Sequence, residues 1–245
     1  MMPLNREEVQ LVNEAETNSP RQSTREIFTR IYASEEWTLV EEPVAGYDDH
    51  QTSRSGLGSN LAQTEALRAG LPPLIAELGV RSVLDLPCGD FFWMSRVELG
   101  VQRYIGADIV PEVVERNRRL FARADRDFEV LDLARDQLPL VDLIFSRDCL
   151  VHLSDAEALA ALENVRRSGA TYFAATTFTD RTEMNDIRTG GWRPLNLCRA
   201  PFNLPDPLRI LNEQCTEVYT AIIDGAEVEL HFSDKSIGVW TVADL

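Results

Sequence analysis

Apolar positions along the chain fall into short runs separated by polar stretches with helical spacing. The runs at 82–86, 103–108, 128–132, 141–147 and 171–178 predict strands buried on both faces. Between them, 91–99, 111–123 and 154–168 predict helices. Such alternation predicts a parallel sheet covered by helices on both faces. Right-handed crossovers would bring the C-terminal ends of these strands to one edge, where ligands bind in such sheets.

The flanks read differently. Residues 6–16 and 24–37 predict helices, the second carrying Ile27, Ile31, Tyr32 and Trp37. Glu41 to Gly58 reads as a long loop. Ser59 or Asn60 would cap a helix running to about Leu78, burying Leu61, Leu67, Leu71, Leu74 and Ile75, with a kink or restart at Leu71-Pro72-Pro73. Downstream, 179–203 is polar and aromatic and too long to be a mere connector. A short helix at 205–214, starting near Pro207, precedes strands at 216–223, 226–232 and 235–242, with Asp224-Gly225 as a hairpin turn. These last strands form an antiparallel meander. The expected fold is α/β: a Rossmann-like, doubly wound, mostly parallel seven-stranded sheet with antiparallel C-terminal strands. Residues 1–58 form a helical and loop extension, a lid over cofactor or substrate, and 59–245 the domain proper.

Composition narrows the function. The chain has 245 residues, 44% hydrophobic and 26% charged, which suits one soluble domain. No apolar run approaches the ~20 residues of a membrane span. Met1 to Pro20 lacks an apolar signal core, so a cytoplasmic location is expected. A net charge of −16 argues against a nucleic-acid substrate. Lys235 is the sole lysine, which reads as genomic base composition. Cys88, Cys149, Cys198 and Cys215 match no zinc spacing and read as free thiols in a reducing compartment.

Candidate chemistry centres on the stretch from Ser82 to Met94, a buried strand, a tight turn at Pro87-Cys88-Gly89-Asp90, then Phe91-Phe92-Trp93. Asp108 ends the next strand, 19 residues after Gly89. A strand, a glycine turn and an acid at the next strand tip frame a nucleoside. One glycine stands where a dinucleotide turn needs three, which points away from NAD. Asp132-Leu133 ends the third strand and Ser146-Arg147-Asp148 the fourth. Asp108 can accept from both ribose hydroxyls, and Asp132 from an adenine amine with Leu131 or Leu133 on the ring face. Asp108 and Asp132 also read as cap or turn residues, and His152 as a packed histidine.

These residues resemble the class I S-adenosylmethionine-dependent methyltransferases over roughly residues 80–242. The resemblance implies S-adenosyl-L-methionine as cofactor and S-adenosyl-L-homocysteine as product. It places Asp85 and Gly89 near the methionine part, with Asp108 and Ile109 on the ribose and Asp132 and Leu133 on the adenine. Pro87, Trp93 and Arg147 complete the expected cofactor contacts. Pro87 and Phe91 stand where glycine is frequent in the family, and Phe91 suggests a wider helix approach or an aromatic wall over the cofactor. Ser53-Arg54-Ser55-Gly56-Leu57-Gly58-Ser59 resembles a loop in a subset of bacterial members, with Arg54 and Ser59 expected at the methionine carboxylate.

His152 is the expected general base, oriented by Asp148. Asp180, Asn185, Trp192 and Arg193 are expected to meet a small polar acceptor. Oxygen ligands for a metal could come from Asp148, Asp180, Asn185 and Asp186, but their spacing fits poorly and no metal is expected. The leading reading is O-methylation of a sugar or glycosylated natural product, with no nucleic-acid or membrane partner and a homodimer left open. N-methylation of a small amine and non-catalytic nucleoside binding are the alternatives.

Overall fold

The computed structural model describes residues 22–34, 36, 53–223 and 226–245. The expected helix at 6–16, Trp37, most of the 41–58 loop and the Asp224-Gly225 turn lie outside them. Strands β1 (Ser82–Asp85), β2 (Arg103–Asp108), β3 (Arg126–Val130), β4 (Leu143–Ser146) and β5 (Tyr172–Phe178) are parallel. β9 (Lys235–Thr241) runs antiparallel beside β5, and β6 (Arg209–Asn212) antiparallel beside β9. The seven-stranded order is β3-β2-β1-β4-β5-β9-β6. β7 (Val218–Ile223) and β8 (Ala226–His231) form a separate antiparallel pair.

Helices follow from their caps. In α1 (Thr24–Ala33), Ser23 accepts the Glu26 N–H and Glu26 accepts the Ser23 N–H, a reciprocal capping box. α2 (Glu65–Glu77) buries Leu67, Leu71 and Ile75. α3 (Pro111–Phe121) opens on proline, whose missing N–H costs nothing there. α4 (Asp155–Arg167) is capped by Ser154, with Asp155 and Glu157 in its first turn.

Side chains alternate across the sheet, so each strand feeds two cores. Leu84, Ile105, Ile144 and Phe173 pack with Leu162 and Val165 of α4. Val83, Tyr104, Leu143 and Ala174 pack on the other face with Leu67 and Leu71 of α2 and Val114 of α3. Each fully buried side chain of this size contributes about 1.5–3 kcal/mol. Helices on both faces leave the C-terminal strand edge as the open one.

Four expectations are corrected. Residues 91–99 hold a single 3-10 turn, Met94–Arg96, because Phe91 takes a left-handed φ of 59° that a helix cannot continue through. Residues 205–214 contain β6, not a helix, because β9 offers an edge ladder to pair with. The 216–242 strands are not one meander, since only β9 joins the main sheet. The helix expected from Ser59 or Asn60 begins at Glu65 and runs unbroken past Pro72 and Pro73, held by its buried face.

Candidate active site

The parallel strand ends open into one pocket of about 1180 Å³, counting space continuous with solvent. Of the expected cofactor residues, Ser59, Asp85, Pro87, Gly89, Trp93, Asp108, Ile109, Asp132, Leu133 and Arg147 all line it. Asp148 and His152 line it too. Arg54 does not: its guanidinium sits 5.2 Å over the Tyr32 ring, and Tyr32 is the lining residue.

The cofactor half is built around the turn after β1. Gly89 has a φ of 52°, and a Cβ there would lie 2.4 Å from Ser55 Oγ. Only glycine satisfies both constraints. Gly89 donates its N–H to Asp108 Oδ2 at 3.2 Å, and Val110 donates to Asp108 Oδ1 at 3.0 Å. Burial pushes Asp108 up to about 6, against those backbone bonds. Asp85 is buried deeper: burial pushes it up to about 7, although the Tyr104 hydroxyl donates to it. Asp132 accepts the Ala134 N–H at 2.8 Å and pairs with Arg135 at 2.9 Å. The pocket residues fit an adenosyl group: the buried carboxyls of Asp85 and Asp108, the partly buried Asp132, and a turn that lets backbone approach closely.

Asp90 joins the two loops that the sequence singles out. Its carboxylate accepts from Ser53 Oγ at 3.0 Å and the Arg54 N–H at 2.7 Å, and its own N–H donates to Ser55 Oγ at 2.9 Å. The Ser53–Ser59 segment is thereby strapped to the turn. Phe91 is no cofactor wall. It is buried against Tyr104, Phe121 and Phe128, at centroid distances of 5.5, 5.2 and 5.1 Å, away from the pocket.

The other half of the pocket lies after β4. His152 sits in a 3-10 turn, Leu150–His152, with Nδ1 2.7 Å from the Gly191 carbonyl oxygen. A carbonyl only accepts, so Nδ1 carries the proton and Nε2 is the basic nitrogen. Burial lowers the His152 pKa, against that bond and the Asp148 charge, so the ring is neutral near pH 7. Gly191 therefore orients His152; Asp148 is engaged elsewhere. Its φ of 51° turns it toward Lys235, whose Nζ donates at 2.7 Å, and Arg147 lies 3.2 Å away. Burial raises the Asp148 pKa, but Arg147 and Lys235 outweigh it and hold the carboxyl below its usual range. Arg147 also bonds Glu213 at 2.7 Å and the Gly58 carbonyl at 2.8 Å. Glu213 is buried, and its Oε1 has no hydrogen-bond partner among the described residues.

The segment after β5 is placed less as expected. Arg193 is buried and binds the Leu153 and Asn185 carbonyls, Asp155 at 2.8 Å and Asp186 at 3.0 Å, so it staples the loop to the start of α4. Asp180 and Asn185 are exposed and outside the pocket lining, as is Trp192. Among the described residues no three His, Cys, Asp or Glu side chains gather as a metal site.

Sequence reasoning missed Thr24, Phe28 and Tyr32 of α1, which line the pocket, and Arg135, Glu157 and Lys235. The lone lysine was the available signal: it is buried on Asp148.

Residues 83–169 match the family described as Methyltransferase domain. Comparison with curated proteins returns no match. Among solved structures, the methyltransferase domain of bacterial CtHen1-C is 19% identical, over 48% of this chain and 66% of that one, TM-score 0.42. This chain thus spans just under two thirds of that protein's length. Magnesium protoporphyrin IX methyltransferase from Synechocystis PCC 6803, solved with bound S-adenosylmethionine, is 12% identical over 91% of this chain and 98% of that one, TM-score 0.50. The N-methyltransferase NodS from Bradyrhizobium japonicum WM9, solved with S-adenosylhomocysteine, is 14% identical over 90% and 98%, TM-score 0.49. The matched stretch runs from β1 past the end of α4 and is a methyltransferase domain.

Proposed function

We propose that this chain, a class I S-adenosylmethionine-dependent methyltransferase, methylates a hydroxyl oxygen of a small neutral acceptor such as a sugar or glycosylated natural product. The observation that carries the reading is the bond from His152 Nδ1 to the Gly191 carbonyl, which makes Nε2 the basic nitrogen of a ring that lines the pocket with Asp108 and Asp85. Bound S-adenosylmethionine supplies an activated methyl group and leaves as S-adenosylhomocysteine.

The chain's own part is to hold, orient and deprotonate. Asp108 accepts from the ribose hydroxyls, and Asp132 with Leu131 and Leu133 holds the adenine. Phe28 and Tyr32 of α1 line the pocket, which supports the N-terminal extension as a lid that excludes water. His152 Nε2 takes the hydroxyl proton as the acceptor oxygen gains its methyl group. A neutral amine would not need such a base.

The net charge of −16 supports a small molecule over nucleic acid. No helix among the described residues is long and apolar enough to cross a membrane, and the four unpaired cysteines support the expected reducing, cytoplasmic setting. The test is to supply methyl-labelled S-adenosylmethionine with paired hydroxyl and amine acceptors and locate the label by mass spectrometry. Label in an ether is the expected result; label only on nitrogen overturns the reading.

A further inference from the structure

Trp192 and Tyr219 lie outside the pocket lining, and each keeps more than two fifths of its surface exposed, 44% and 43%. Trp192 comes from the segment after β5 and Tyr219 from β7, yet their rings are within 21° of parallel, with centroids 6.1 Å apart. Phe232 meets both edge-on, at 5.1 and 5.5 Å. Phe178, at the end of β5, meets Trp192 and Phe232 edge-on at 6.1 and 5.9 Å. Phe178 and Phe232 are buried. Arg181 covers both of these rings and is fixed to Asp234 at 2.8 Å. The exposed pair is therefore a rigid aromatic stack backed by core. Aromatic surface left in water in this way marks a contact surface.

The stack adjoins the reacting end at two points. Trp192 follows Gly191, whose carbonyl holds His152. Tyr219 lies on the same strand end as Glu217. A Cβ on Gly58 would lie 3.6 Å from Glu217 Oε2, 3.6 Å from Lys235 Nζ and 3.8 Å from Asp148 Oδ2, so these three groups converge beside the pocket. The Tyr219 phenol feels the same carboxylates: burial first, then Glu217, pushes it up to about 12.

Charge selects the ligand class. Arg147, Lys235 and Arg181 are matched by Glu213, Asp148 and Asp234. Burial raises the Glu217 pKa. The surroundings are nearly neutral, and Arg181 already occupies the cation-binding faces of the buried rings. What is offered is a flat carbon surface beside oxygen acceptors. A pyranose ring complements both: its C–H face packs on an aromatic plane, and its hydroxyls donate to carboxylates.

We infer that Trp192, Tyr219 and Glu217 form a subsite for a neutral pyranose ring of the acceptor, next to the hydroxyl presented to His152. The inference rests on the hydroxyl-methylation reading and names the part of the acceptor that does not react.

The test is saturation-transfer NMR on the full chain saturated with S-adenosylhomocysteine. The probes are methyl glucopyranoside, galactopyranoside, mannopyranoside and rhamnopyranoside. Saturation of ring C–H protons is expected for at least one probe. It should fall roughly fivefold in Trp192→Ala and in Tyr219→Ala and persist in Trp192→Phe, the loss of one aromatic contact. No saturation by any probe, or equal saturation in both alanine variants, overturns the subsite. The readout needs no methyl transfer, so the two failures separate. A failed subsite leaves label in an ether, whereas label on nitrogen with platform-dependent saturation removes only the hydroxyl reading.

Discussion

Arg135 and Glu157 meet at 3.0 Å, and the pair ties together three segments distant in sequence. Arg135 also reaches Asp132 at 2.9 Å and Thr24 Oγ1 at 3.2 Å. Glu157 accepts from the hydroxyls of Thr24 and Thr189. Asp132, the start of α1 and the loop after β5 thus share one junction. Gly190 strengthens it, since a Cβ there would lie 2.8 Å from Ile27 of α1.

Glu157→Ala should release α1. The ion pair is partly exposed, so its Coulombic share is within about 1 kcal/mol. The lost hydroxyl bonds add about 1 kcal/mol each. Hydrogen exchange should quicken in Thr24–Ala33 while the sheet stays protected. Cofactor affinity should fall several-fold, because Thr24, Phe28 and Tyr32 line the pocket. Unchanged exchange in α1 would contradict the junction.

Gly89→Ala should disable the turn. The left-handed φ costs a non-glycine residue about 1 kcal/mol or more, and the added Cβ displaces Ser55 Oγ from the Asp90 N–H. Calorimetry should find S-adenosylmethionine binding weakened at least about tenfold. Binding like the wild type would mean that the turn does not set the cofactor.

Asp85 and Asp108 make the empty protein sensitive to pH. Burial raises their folded pKa values to about 7 and about 6, above those of the unfolded chain. The folded state therefore holds protons that the unfolded state has released. Stability from these groups is full at pH values below about 4 and is lost as pH rises through 6 and 7. Asp85→Asn should gain stability over the wild type as pH climbs from 5 to 8 in urea unfolding. A difference that stays flat with pH would contradict the burial argument. With cofactor, Asp108 works as the ionised acceptor, so affinity should weaken below about pH 6 and Asp108→Asn should lose that dependence.

Lys235→Met should strip the partly buried Asp148 of its 2.7 Å partner and leave Arg147, at 3.2 Å, as its remaining cation. Because Arg147 stays, the loss should fall below the ~3–5 kcal/mol that orphaning a fully buried charge costs. Thermal unfolding of Lys235→Met checks this, and an unchanged melting temperature would contradict it.

The sheet was legible because its buried strands are continuous apolar runs, as Leu143–Ser146 and Tyr172–Phe178 illustrate. The pocket lining was legible because strand ends converge on one edge, so a residue's position after a strand places it. β6 was not: its four residues are mostly exposed and owe their conformation to the β9 ladder, a tertiary fact absent from local pattern. Arg193 read as a ligand contact, yet its buried guanidinium serves four protein partners. Residue type alone does not distinguish a staple from a binding group. Gly191 carries no side-chain signal, so its carbonyl could not be foreseen as the group that orients His152.

Removal of the acceptor's hydroxyl proton by His152 is tested by kcat for methyl transfer in His152→Ala, measured beside its Kd for S-adenosylmethionine. A fall in kcat of about 10²-fold or more is expected, the usual range for a general base, with Kd within about threefold of the wild type. Turnover near that of the wild type, with the cofactor still bound, would contradict it.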